Sequence, residues 1–253
     1  MILIVEGNSP ERVAAGKTGA DAFLRTFKAL GVTDEMRVVQ PDTTPLNVSD
    51  FEGARGAVFT GAGNDWATDA PEAAAQRAAM EEALEAGIPI WGSCNGLNLA
   101  ACVLGGTVGA CAAGMEVGLA QDLALTDAGA AHPMMAGRQP GFAVPCIHRD
   151  GVMNLPAGAE VLAGNAHHPV QAMVYEANGA RVWGTQYHPE LSLADIAVYV
   201  QDRGGLFEAY GHQAADMEAA ETDDAAASRL STTRAAQAVS TRALELRNWL
   251  AIL

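Results

Sequence analysis

The chain has 253 residues, 49% apolar and 18% charged, which is enough for one large α/β domain or two small ones with a substantial core. Fifteen Lys and Arg against thirty Asp and Glu give a formal charge of −15. Such a balance argues against a nucleic-acid partner, because phosphate binding draws on clustered cations, and the acidity reads as solubility.

The opening MILIVEGN has no basic leader region, and its apolar run ends at Glu6. It reads as a first strand, Ile2–Val5, of a cytoplasmic protein and not as a signal peptide. Further strands are expected at Arg37–Val39, Gly56–Thr60 and Ile88–Trp91, each closed by Gly, Pro, Asn or Asp. Between the last two lies an Ala/Glu-rich helix, Pro71–Ala86, with Pro near its start and Gly87 just past its end. Strands alternating with helices predict an α/β fold, a mostly parallel central sheet flanked by helices.

A second helical pattern runs from Asn95 to Leu104. The uncharged stretch Leu99–Met115 approaches the length of a membrane span, but its glycines and alanines make it too weakly hydrophobic to insert. From Gly105 to Pro189 the texture changes to short strands: Gly118–Thr126, Phe142–His148, Glu160–Ala163, Val170–Tyr175 and Arg181–Tyr187. Asn178-Gly179 between the last two is a strong hairpin signal. After Gly211 the chain has no Gly or Pro. It ends with Leu246, Trp249, Leu250 and Leu253 at i, i+3, i+4 and i+7, a helix expected to pack on the main domain. Asp216–Ser228 reads as a frayed helix or a linker. The expected division is therefore 1–211 for the main domain and 212–253 for a C-terminal helical extension.

Two segments carry chemistry. Gly92-Ser93-Cys94-Asn95-Gly96 joins a strand to a helix in the Gly-x-nucleophile-x-Gly pattern, where small residues permit a sharp turn that exposes the nucleophile. A thiol there faces a helix N-terminus, which favours the thiolate. The bland alternative is a buried cysteine beside a Gly-rich turn. The second segment is Gly184-Thr185-Gln186-Tyr187-His188-Pro189-Glu190. Pro189 holds His188 extended, so His188 and Glu190 project to one side, a base with the carboxylate that orients it.

GSCNGLN together with GTQYHPE resembles the class I glutamine amidotransferase family, of flavodoxin-like architecture. The resemblance covers residues 1–211 and is most similar to the GMP-synthase-like branch, often found as stand-alone chains. Landmarks such as Leu104-Gly105-Gly106, Glu116-Val117-Gly118 and His148-Arg149-Asp150 support it. It implies a triad of Cys94, His188 and Glu190, with no cofactor and no metal. It also implies a γ-glutamyl thioester, formed when Cys94 attacks a glutamine-like amide and His188 protonates the leaving amine. The oxyanion would be held by backbone N–H groups of Asn95 and of the loop after the third strand, at Gly61 or Ala62. Many relatives have Gly-Gly-Pro in that loop; this chain has Gly61-Ala62-Gly63. Substrate-binding residues are expected at Asn98, Gly63, His148 and Asp150. Asn98 stands where the family usually has Gln, one methylene longer, so another group compensates, or the substrate differs, or Asn98 only packs in its helix. For His148 and Asp150 the choice is between lining the site and fixing a turn.

Other patterns are weaker. Gly16-Lys17-Thr18 mimics the end of a P-loop without its first glycine, and Gly61-Ala62-Gly63 precedes Trp66 where a dinucleotide site needs glycine. His167 and His168, adjacent on an expected strand, should point apart and bind no metal. Cys102 and Cys111 are expected in an apolar core, and Trp66 on the outer wall of the pocket. The expected activity is hydrolysis of a γ-glutamyl amide of small-molecule size, by a chain with no synthetase domain after it. The alternatives are a glutaminase subunit feeding a separate synthase, or a non-catalytic regulatory homologue. An α/β-hydrolase with a cysteine elbow ranks below these, because its acid precedes its histidine. No membrane partner is expected, and a homo-oligomer is left open.

Overall fold

The computed structural model describes residues 1–202 and 207–253. Its centre is a nine-stranded sheet. Strands β1 (Ile2–Val5), β2 (Met36–Val39), β3 (Gly56–Phe59) and β4 (Pro89–Ser93) come from the first part of the chain. The middle part supplies β6 (Glu116–Leu125), β7 (Phe142–His148), β9 (Ala159–Gly164), β10 (Ala172–Ala177) and β11 (Ala180–Thr185). The order is β2-β1-β3-β4-β11-β10-β9-β6-β7, and β5 (Thr107–Ala110) pairs separately with β8 (Asp150–Asn154). From β2 to β11 all neighbours are parallel; beyond β11 the sheet continues antiparallel.

The parallel half fixes the site. Phe59 is in register with Gly92, and Ser93 with Thr185, so β3, β4 and β11 end at one edge and deliver their following loops to one place. The strands are near-continuous apolar runs because both faces are covered: Ile2 to Val5 and Ala57 to Phe59 are almost fully buried. The covering helices are α1 (Pro10–Ala14), α2 (Ala20–Ala29), α3 (Ala74–Glu85), α4 (Asn95–Val103) and α6 (Leu193–Asp202); α5 (Asp127–Ala131) packs on β9. Asn178 and Gly179 form the two-residue turn of the β10–β11 hairpin with φ of 55° and 83°, the left-handed pair that such turns demand.

Sequence patterning missed β5 and β8, whose Gly-rich texture hides their pairing. It also placed several strand ends one to two residues off. The stretch Leu99–Met115 is divided between α4 and β5, and no helix among the described residues is long and apolar enough to cross a membrane. Of the two readings of Asp216–Ser228, helix holds and linker does not: the stretch overlaps α7 (Ala214–Ala219) and α8 (Asp224–Arg229), and Met217, Ala226 and Ala227 are fully buried.

Two one-turn helices, α9 (Arg234–Gln237) and α10 (Val239–Arg242), lead into α11 (Leu244–Leu250). Its Leu246 and Trp249 are fully buried in the main core, and Trp249 stacks near Phe27 and Trp91 with ring centroids 6.4 and 6.3 Å away. A buried polar group joins this tail to the site strand. Glu245 accepts from Arg138 Nε and Nη2 and from Tyr187 Oη, all at 2.7 Å, while Arg242 Nε donates to the Leu191 carbonyl at 2.9 Å. The tail thus grips both ends of the segment Tyr187–Leu191.

Candidate active site

Cys94 caps α4 at φ 48° and ψ −100°, a left-handed backbone that costs a non-glycine residue about 1–3 kcal/mol. The turn exists because its flanks have no side chains. A Cβ on Gly96 would lie 2.2 Å from the Phe59 carbonyl oxygen, and one on Gly92 would lie 2.8 Å from the Leu97 nitrogen. The Cys94 amide donates to the Thr185 carbonyl at 2.7 Å, which locks the elbow to β11.

Directly after β11, His188 Nδ1 lies 2.7 Å from Glu190 Oε1, and both residues are buried. The His188 amide donates to the Pro145 carbonyl, and Thr26 Oγ1 donates to the Glu190 carbonyl. Burial acts to lower the His188 pKa, but the Glu190 charge and hydrogen bonds to Cys94 and Glu190 outweigh it and raise it to about 10. The buried carboxylate therefore favours the protonated imidazole, with Cys94 acting in the same direction.

Gly61 borders this group closely. A Cβ there would lie 2.8 Å from His188 Cε1 and 3.8 Å from Cys94 Cβ. The Gly63 amide is committed to Asn8 Oδ1 at 2.9 Å, and Asn64 ties its loop to the β1–α1 connection through Ser9 N and the Gly7 carbonyl. Asn8 is held in turn by Glu6, which accepts from its backbone and side-chain nitrogens at 2.9 Å.

One cavity of about 280 Å³ opens over Cys94 and borders Asn95, Asn98, Gly61, Ala62, Gly63, His148, Asp150, His188 and Glu190. Every site residue expected from sequence faces it, and Trp66 stands on its wall. Asn98 is 4% exposed, and its Oδ1 has no hydrogen-bond partner among the described residues. A buried orphan acceptor bordering a cavity is suited to a donor brought by a ligand. Asp150 is forked by Arg149 at 2.9 and 2.8 Å, and His148 Nε2 lies 2.8 Å from Glu116 Oε2.

The histidines depart from expectation. His167 and His168 lie in the β9–β10 loop, not on a strand, and both rings pack on His148 with centroids 5.8 and 6.3 Å away. No group of three or more potential metal ligands occurs among the described residues. Cys111 is buried, but beside polar groups: its sulfur is 3.7 Å from His148 Nδ1 and 3.6 Å from His168 Nδ1. Burial, with Asp150, Glu116 and Cys94 adding, pushes its thiol up to about 11. Cys102 is only partly buried.

Three contacts escaped the sequence reading. Ser93 Oγ donates to Glu190 Oε1 at 2.7 Å, Gln186 Nε2 donates to Cys94 Sγ at 3.2 Å, and the Ile147 carbonyl lies 3.4 Å from His188 Nε2. Gln186 sits two residues before His188 in the second motif, and that alternation was the available signal, whereas Ser93 directly precedes Cys94 and alternation gave no sign of its contact.

A cysteine elbow at the carboxyl edge of a parallel sheet, beside a paired histidine and carboxylate, defines an α/β protein of the cysteine-nucleophile acyl-transfer type. The sequence pattern of the glutamine amidotransferase class-I family matches residues 16–200. The chain belongs to that family. It is 30% identical over 226 residues to the γ-glutamyl-L-1-hydroxyisopropylamide hydrolase of a Pseudomonas species, covering 83% of this chain and 76% of that one. It is 31% identical over 168 residues to a glutamine-hydrolyzing GMP synthase subunit of Thermococcus kodakarensis, covering 66% and 81%. It spans only 22% and 28% of the length of two longer GMP synthases that it also matches. The crystal structure of a glutamine amidotransferase from Thermotoga maritima superposes with a TM-score of 0.66 at 19% identity, over 98% of this chain and 95% of that one, a likeness of fold.

Proposed function

We propose that the protein hydrolyses a γ-glutamyl amide, glutamine or a γ-glutamyl amine, through a thioester on Cys94. The observation that carries this reading is the 2.7 Å His188–Glu190 pair that lines one cavity together with the Cys94 elbow. The Cys94 thiolate attacks the γ-carbonyl carbon, and His188 gives its proton to the nitrogen as the C–N bond breaks. Glutamate leaves when water, deprotonated by His188, cleaves the thioester. The oxyanion is held by the Asn95 amide at the start of α4 and by Gly61 or Ala62, since the Gly63 amide already serves Asn8. The Asn98 Oδ1 orphan is the acceptor for the substrate's α-ammonium, with Gly63, His148 and Asp150 around it. Residues 1–211 form the amidotransferase-like domain, and 212–253 its helical extension. Four unpaired cysteines, one of them the nucleophile, suit a reducing cytoplasm.

The likeness to a subunit of a glutamine-hydrolyzing GMP synthase favours a second reading, a glutaminase that passes ammonia to a synthase chain. Glutamate release from L-glutamine and from γ-glutamyl amines, measured by mass spectrometry for wild type and Cys94→Ala, tests both. Cys94-dependent release from amines with glutamine poor gives the hydrolase. Preference for glutamine gives the glutaminase. Silence across the panel refutes the stand-alone hydrolase and leaves a glutaminase gated by its synthase or a non-catalytic homologue.

A further inference from the structure

The loop of residues 61–64 is pinned to the connection between β1 and α1. Asn8 Oδ1 accepts from the Gly63 amide at 2.9 Å. Asn64 Oδ1 accepts from the Ser9 amide at 3.0 Å, and its Nδ2 donates to the Gly7 carbonyl at 2.9 Å. Thr60 Oγ1 accepts from the Gly7 amide at 2.8 Å and donates to the Gly61 carbonyl at 2.9 Å. Two amides of the loop are left over. Those of Gly61 and Ala62 donate to none of the described residues, and both residues border the cavity together with Cys94 and His188.

The anchor is itself built from buried, hydrogen-bonded groups. Glu6 accepts from four N–H groups, those of the Asn8 backbone and side chain, Gly19 and Ala20, at 2.9 to 3.0 Å. The last two open α2, the end of a helix that favours a carboxylate. Because Glu6 only accepts, the end of the Asn8 amide that faces it is the NH2. Oδ1 is left to face two donors, the Gly63 amide and Arg12 Nε at 3.2 Å. Space is closed as well: a Cβ on Gly19 would lie 2.6 Å from Thr60 Oγ1 and 2.8 Å from the Gly61 carbonyl oxygen. The peptide bonds are trans, so fixing the Gly61 carbonyl also fixes the direction of the Ala62 N–H. By the same rule, fixing the Gly63 N–H fixes the Ala62 carbonyl.

We propose that Asn8 and Thr60 are positioning residues, which hold the peptide groups on either side of Ala62 so that the oxyanion donor is in place before substrate arrives. This rests on the hydrolase reading above. Glu6 and Asn8 lie ahead of residues 16–200, the stretch that the family pattern matches. Two readouts on the full chain test the proposal. One is glutamate release from the γ-glutamyl amide that wild type cleaves best. The other is alkylation of Cys94 by iodoacetamide, followed by mass spectrometry of the peptide that contains it. Alkylation forms an S–C bond as iodide leaves a saturated carbon, with no carbonyl oxyanion. It therefore reports on the thiol and its histidine, and not on the oxyanion donors.

Thr60→Val keeps the shape and loses the hydroxyl, and Asn8→Ala removes the acceptor of the Gly63 amide. In both, kcat is expected to fall about 10- to 100-fold, with KM and the Cys94 alkylation rate within about threefold of wild type. Thr60→Ser, which keeps the hydroxyl, should recover most of the kcat lost in Thr60→Val. A thermal melt checks that each variant is folded, and the Thr60 pair decides if Asn8→Ala is not. Near-wild-type kcat in Thr60→Val or Asn8→Ala, a loss carried by KM alone, a Thr60→Ser as slow as Thr60→Val, or alkylation that slows in step with kcat overturns the inference. The hydrolase reading then stands, because wild type still turns over. Wild type with no Cys94-dependent release from any γ-glutamyl amide overturns the stand-alone hydrolase and this inference with it.

Discussion

Replacing Glu190 with glutamine keeps the shape of the triad and removes its charge. In the wild type the carboxylate accepts from His188 Nδ1 and Ser93 Oγ, both at 2.7 Å, and is the largest influence raising the imidazole pKa to about 10. Burial pulls the other way. With that charge gone the largest upward influence is lost while burial remains, so the pKa should fall below its wild-type value and less of the imidazole is protonated at pH 8. Protonated His188 is the acid that expels the amine, so kcat/KM for a γ-glutamyl amide should hold through pH 9 in wild type and decline near 10. In Glu190→Gln the decline should move to lower pH, with activity at pH 8 reduced by about tenfold or more. The assay is a pH–rate series of glutamate release in buffers of constant ionic strength. Stability follows the same sign: a raised imidazole pKa stabilises the fold fully below about 6.5, and that contribution is lost as pH rises through about 10. A wild-type alkaline limb near 6.5, or a variant whose limb stays near 10, would refute the reasoning.

Two other outcomes are expected. Gly61→Ala places a Cβ 2.8 Å from His188 Cε1, so the ring must shift; kcat/KM should fall about 10²- to 10³-fold while the melting temperature changes by only a few degrees. Activity near wild type would show that the loop yields. Glu245→Gln strands Arg138, which is 7% exposed, with its charge unmatched, and urea unfolding should show a loss of about 3–5 kcal/mol. A loss under 1 kcal/mol would mean that the tail is not anchored by this pair.

Much of the architecture was written locally. Alternating apolar runs and Gly or Pro stops marked the parallel strands, and Asn178-Gly179 marked the hairpin, because each is a short-range constraint. The elbow and the His-Pro-Glu turn were legible for the same reason: Gly92 and Gly96 are needed for close approach, and Pro189 for an extended His188. What the sequence hid is long-range. Asn8 and Arg12 meet the Gly61–Asn64 loop only because β1 and β3 are neighbours in the sheet. The packing of His167 and His168 on His148 depends on a loop that a strand reading cannot place, and the grip of Glu245 on Tyr187 spans 58 residues. Asp216–Ser228 could be read as a frayed helix or a linker because alanines bury without a strong periodic signal.

The central claim is that Cys94 carries the γ-glutamyl group. Its most direct test is acid quenching during turnover of a γ-glutamyl amide, followed by intact-mass analysis and peptide mapping. A γ-glutamyl adduct is expected on the peptide that contains Cys94, absent in Cys94→Ala and lost on treatment with hydroxylamine. Turnover with no adduct at Cys94, or an adduct on Cys102, Cys111 or Cys146 instead, would contradict it.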